Sequence, residues 1–177
     1  MLKFIRYTVI ALTVFHLCIP LEAQNTKEFT RIHFRGMSDQ QLVDTLLKLS
    51  REYAEENPDT ALLLGSMALE ICGKGKLRDS IPSAAFRIAD AWFFKDNYSK
   101  AIEFYNKAAS DEFELKKDST GFLAEMLTYA AYCYQELGLL DKALQLNKAA
   151  LRIQQRLNNK DEIGNILNNI GTNYFSL

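Results

Sequence analysis

Proline is scarce in this 177-residue chain, with three residues, and only eight are glycine. Such a composition excludes a collagenous, proline-rich or linker-like protein. Two histidines and three cysteines leave little with which to build a metal centre or a nucleophilic site. Neither sign of charge dominates, since 21 Lys and Arg face 22 Asp and Glu for a formal charge of −1. No global basic field exists to attract nucleic acid or anionic lipid. What the chain does have is 48% hydrophobic and 11% aromatic residues, enough for one domain with a sizeable core.

The longest apolar stretch, residues 7–19, follows Lys3 and Arg6 and is closed by Pro20, Leu21, Glu22 and Ala23. A charged start, a short apolar run and a small residue predict a secretory signal peptide over residues 1–23, cleaved after Ala23. The run falls short of the roughly 20 residues that span a bilayer and is broken by His16, so no membrane span is expected in the mature chain. Leu17 before Cys18 departs from a lipobox. Loss of Lys3, Arg6 and Glu22 leaves a formal charge of −2, and Cys72 and Cys133 remain. Residues 24–37 read as an N-terminal extension and residues 38–177 as the folded domain.

That domain repeats. An aromatic residue stands nine positions before an Ala-aliphatic pair in Trp92…Ala101-Ile102 and again in Tyr134…Ala143-Leu144. Tyr53…Ala61-Leu62 is one residue shorter, and Ile170-Gly171 with Tyr174 begins a further copy. The Ala anchors step by 40 residues from Ala61 to Ala101 and by 42 to Ala143.

Each copy divides into two helical patterns. Ser38 and Gln41 have capping-box spacing, with Met37 and Leu42 as a hydrophobic staple. Leu42, Leu46, Leu49 and Tyr53 then form an apolar stripe. Asn57 and Pro58 suit the N-cap and first position of a second helix, with Gly73 at its C′ position. A third helix is predicted over residues 80–95 with Pro82 in its first turn, and a fourth from Tyr98. Ser119-Thr120 offer caps for a fifth helix ending at Gly138. The sixth starts near Asp141, and Asp161 can cap a seventh. Ala101 against Trp92, and Ala143 against Tyr134, pair a small residue with an aromatic plug. One helix pair cannot bury both its faces, so successive pairs should stack into a solenoid. With Cys72 and Cys133 in different repeats, beyond the roughly 7 Å that a disulfide tolerates, both are expected as buried free thiols.

This pattern resembles the tetratricopeptide repeat (TPR) family in a variant of about 40 residues, over residues 39–177. Leu127, Ala130-Ala131, Tyr134, Gly138, Ala143, Ala150 and Ile153 occupy signature places, whereas Asn147 and Gly65 stand where the family usually has an aromatic. The resemblance implies an all-α, right-handed superhelix of about three and a half repeats, with the first helix of each pair lining a concave face that binds protein or peptide. By register, that face would present Arg87, Asp90 and Phe94, then Tyr129, Tyr132 and Glu136, then Asn165, Asn169 and Thr172. Aromatic rings supply contact area and Asn amides can hold a peptide backbone. Asn169 is similar to an asparagine that kinesin light chain-like and bacterial peptide-sensing repeats use in this way.

Catalytic patterns are missing. There is no Cys-x-x-Cys, His-Glu-x-x-His or Gly-x-Ser-x-Gly, and His33 is the one histidine of the mature chain, so neither an enzyme nor a cofactor or metal site is expected. Gly73-Lys74-Gly75-Lys76 lacks the spacing and the Ser/Thr of a phosphate loop. Glu55-Glu56, Asp111-Glu112 and Lys116-Lys117 read as solvated helix ends. The seventh helix has no partner within the chain, which implies either a longer array or an edge that pairs with a second molecule, a copy of itself included. Long-period repeats behind a signal peptide resemble the periplasmic sensory regions of bacterial signalling proteins. The expected role is therefore an exported scaffold, located in the bacterial periplasm, that binds proteins or peptides and serves as the input part of a receptor. The alternative is a structural assembly factor for envelope complexes.

Overall fold

The computed structural model describes residues 34, 36–74, 77–116 and 120–176. The predicted signal segment and cleavage position, His33, Gly75-Lys76, Lys117 and Ser119 lie outside the described residues. Contacts divide the chain into Met1–Ser38 and Asp39–Leu177. Of the first part only Phe34 and residues 36–38 are described, and there the Met37 amide donates to the Phe34 carbonyl at 3.2 Å.

The second part is built of α1 (Asp39–Tyr53), α2 (Pro58–Lys74), a 3₁₀ turn (Arg78–Ser80), α3 (Ile81–Phe93), α4 (Tyr98–Lys116), α5 (Gly121–Glu136), α6 (Leu140–Arg156) and α7 (Lys160–Phe175). No strand occurs among the described residues. Each helix packs on the next, and the first helices of successive pairs, α1 with α3 and α5 with α7, also touch. The result is an all-α superhelical repeat of three helix pairs followed by α7, as the period implied.

Local chemistry sets the helix boundaries. The Asn57 side chain accepts from the Thr60 amide at 3.1 Å just before Pro58 opens α2, and the Thr120 hydroxyl accepts from the Leu123 amide at 3.0 Å at the start of α5, each satisfying a donor that the helix leaves free. Asn97 does the same for the Lys100 amide at 3.2 Å ahead of α4. Three helices end in one motif, with a residue of positive φ. At α5 the Gly138 amide donates to Gln135 and the Leu139 amide to Tyr134, both at 2.8 Å, with Gly138 at φ +72°. Asp96 (φ +54°) closes α3 and Asn158 (φ +55°) closes α6 with the same pair of bonds. Among L-residues, Asp and Asn enter this region at lowest cost. The turn after α1, four residues long like the one after α3, has no residue of positive φ.

Two expected boundaries differ. Gly73 lies inside α2, which continues to Lys74, so Gly73 is not the C′ residue. Asp161 lies in the first turn of α7 and Asn159 takes the N-cap position; Asp161 favours the helix by its charge at the positive end of the dipole rather than by capping.

The core is built on small residues. Ala61, Ala101 and Ala143 are fully buried; Ala61 shares a cluster with Tyr53, and Ala101 shares one with Trp92. The lysine before the second and third of these alanines lies over the partner ring, Lys100 Nζ at 4.0 Å from the Trp92 centroid and Lys142 Nζ at 5.4 Å from that of Tyr134, a recurring cation–π contact. Cys72 and Cys133 are buried and free, and burial pushes the Cys133 thiol up to about 12.

The two departures from the repeat pattern have different outcomes. At Gly65 a Cβ would meet Ile88 Cγ1 at 3.0 Å and Ser50 Oγ at 3.4 Å, so a side chain would block the approach of α2 to α1 and α3. Ser50 is itself buried and donates to the Ala61 carbonyl at 2.8 Å. Asn147 is buried, with Oδ1 lacking a partner among the described residues; nothing in the structure explains it.

Candidate functional site

The first helices of successive pairs line a groove of about 620 Å³. Phe93 of α3 bounds one side, Glu125, Thr128, Tyr129 and Tyr132 of α5 form the middle, and Glu162, Asn165 and Asn169 of α7 form the other side, with Gln154 and Asn159 at the α6–α7 end. Four residues placed on the concave face by register, Tyr129, Tyr132, Asn165 and Asn169, therefore meet in one groove. Arg87, Asp90, Phe94, Glu136 and Thr172 do not line it.

Asp90 has a different environment from the one its register suggests. It is 8% exposed; its Oδ2 receives Arg87 Nη1 at 2.5 Å and its Oδ1 the Tyr105 hydroxyl at 2.8 Å. Burial raises the carboxyl from 3.8 to about 6, and the Arg87 charge and the Tyr105 hydrogen bond offset only part of that rise. Arg87 is occupied by this pair and lies 4.6 Å over the Phe86 ring. Asp90 thus joins α3 to α4, and Arg87 is held along α3 beside it. Phe94, Glu136 and Thr172 are exposed beside the groove.

Tyr129 belongs to both core and groove. Its ring is stacked on Tyr105 at 5.6 Å and 16° and meets Phe86 edge-on at 5.6 Å, which fixes its orientation, while 40% of the residue stays exposed. Tyr132, 41% exposed, is held by Phe93 at 5.5 Å. These rings are large contact surfaces already immobilised by their neighbours, so their use costs little entropy.

Sequence reasoning missed Phe93, Glu125, Thr128, Gln154, Asn159 and Glu162. Glu125 stands 40 residues before Asn165, and this spacing could have found it. Phe93 was hidden between core Trp92 and exposed Phe94, and Gln154 sits on a second helix, which register alone assigns to the outer layer. Burial raises the Glu125 carboxyl, Arg87 and Arg51 lower it, and the neighbouring Glu162 charge raises it. Among the described residues no group of His, Cys, Asp and Glu is placed to hold a metal, and no helix is long and apolar enough to cross a membrane.

No protein-family model and no curated protein matches the sequence. Solved structures do resemble the fold. BtubC (BKLC) from P. vanneervenii superposes with a TM-score of 0.74 at 17% identity, over 86% of this chain and 65% of that one. The apo form of RapI gives 0.70 at 16% identity, over 94% of this chain and 62% of that one. The TPR domain of Arabidopsis FLU gives 0.61 at 22% identity, over 67% of this chain and 99% of that one. The chain thus spans just under two thirds of the length of BtubC and of RapI. Its fold is a TPR-like helical repeat.

Proposed function

We propose that this chain is an exported, non-enzymatic scaffold that binds a protein partner by holding an extended peptide segment across α5 and α7. The observation that carries this reading is the groove itself, where two half-exposed and immobilised tyrosines face two asparagines on the next repeat. Rings offer apolar contact, and Asn165 and Asn169 offer both donor and acceptor to a peptide backbone. A formal charge of −1 on the whole chain gives no support to nucleic acid as the ligand. The predicted export signal and the long repeat period support a place in the bacterial periplasm, as the input part of a signalling receptor.

Random dodecapeptides displayed on phage and selected on the immobilised full chain test the reading. Selected peptides should lose at least tenfold in affinity with Tyr132→Ala combined with Asn169→Ala, and keep it with Phe113→Ala, on exposed α4 surface. Equal binding by all three proteins would overturn it.

A second reading, assembly with an envelope component or a second copy, is favoured by α7, where Leu167, Tyr174 and Phe175 are 50%, 54% and 94% exposed. Concentration-dependent association that is lost on Tyr174→Ala and Phe175→Ser substitution would support it.

A further inference from the structure

The lining of the groove is chemically one-sided. Glu125 and Glu162 contribute carboxylates from facing helices, and the lining contains no Lys, Arg or His. The basic groups whose charges act on Glu125 are Arg87, already paired with Asp90, and Arg51 of α1; neither lines the groove. A second, independent feature points the same way. Gln154 lines the groove, is 4% exposed, and its Oε1 has no hydrogen-bond partner among the described residues. A buried acceptor without a donor is costly, and a ligand N–H would satisfy it. Tyr129 and Tyr132 add aromatic rings to the same lining, groups that attract cations.

We propose that the groove selects its peptide through a basic side chain, lysine or arginine, which neutralises Glu125 and Glu162 and donates to Gln154. This inference rests on the peptide-binding reading above and names the chemistry that reading leaves open. An acidic segment would bring like charge against both carboxylates, and an apolar side chain at this place could neither neutralise them nor itself donate to the Gln154 oxygen. Peptide backbone on either side would lie against Asn165 and Asn169 on α7 and against Phe93 on α3, which line the rest of the groove. That extent favours a peptide over a small free amine.

The test compares labelled peptides from the selection above, synthesised with the fixed basic residue, with norleucine and with glutamate at that position. Titrated into the full chain, the basic peptide should bind at least tenfold more tightly than the norleucine peptide, and the glutamate peptide should be weakest. Glu125→Gln with Glu162→Gln should remove that preference, bringing the basic peptide to within about twofold of the norleucine peptide measured on the same variant. Both carboxylates are exposed, and an unchanged melting temperature would show that the double variant is folded. Equal binding of basic and norleucine peptides, with both still lost in the Tyr132→Ala, Asn169→Ala protein, would overturn this inference and leave the peptide groove standing. Binding indifferent to every groove substitution would overturn both. Spermidine supplies the same cation without a backbone; if it bound as tightly as the basic peptide, the assignment to a peptide would fail.

Discussion

The Tyr105 hydroxyl on α4 donates to Asp90 Oδ1 on α3 at 2.8 Å, and through this bond a carboxyl on the concave side is tied into the helix pair beneath it. Tyr105 is 1% exposed and Asp90 8%. The same tyrosine stacks on Tyr129, so one buried ring supports both the Asp90 pair and the groove wall.

Because burial holds the Asp90 carboxyl at about 6 against 3.8 for the free group, the folded state binds its proton in a range where the unfolded chain has lost it. Stability from this group is complete below about 3.8 and is lost as pH rises through about 6, a change of up to about 3 kcal/mol. Asp90→Asn keeps an acceptor for Tyr105 and removes the charge. It should melt like the native protein at pH 4 and at a higher temperature at pH 7.5. A lower melting temperature at pH 7.5 would mean that the Arg87 ion pair outweighs the cost of burial.

Gly138 and Gly164 both face open space at Cβ, yet substitution to alanine should act in opposite directions. Gly138 has φ +72°, and alanine there should cost about 1 kcal/mol. Gly164 lies inside α7, and alanine there should add about 0.5–1 kcal/mol. Denaturant midpoints measured with unchanged slopes give both values.

Alanine at Gly65 should destabilise by about 1–3 kcal/mol, because its Cβ must displace Ile88 Cγ1 from 3.0 Å. Combining it with Ile88→Val leaves Cγ1 in place, so little of the loss should return. Combining it with Ile88→Ala, which removes that atom, should give a loss smaller than the sum of the two single changes, as read in a double-mutant cycle.

Export makes a chemical prediction. Mass spectrometry of the protein recovered from a bacterial periplasm should find an amino terminus at Gln24. A terminus at Met1 in the cytoplasm would contradict the proposed location.

How much was legible beforehand follows from which interactions are local. Asn57, Thr120 and Gly138 act on backbone within a few residues, and the boundaries they mark are where the sequence predicts them. Asp96 and Asn158 take positive φ without being glycine, so their role emerges only from the backbone. Tyr129, Tyr132, Asn165 and Asn169 share a groove because the 40-residue step from Tyr134 to Tyr174 preserves their register. Asp90 stands at the register of Tyr132, but its surroundings depend on Tyr105, fifteen residues away on another helix. No pattern on α3 alone contains that contact. Gln154 was invisible for the same reason, being contributed to the groove from α6.

The central claim is where a bound peptide lies. A selected peptide carrying a benzophenone side chain, cross-linked to the full chain and mapped by mass spectrometry, locates it directly. Cross-links to Tyr129, Tyr132, Asn165 and Asn169 are the predicted result. Cross-links confined to Tyr174 and Phe175, or to Phe113 on α4, would contradict the account.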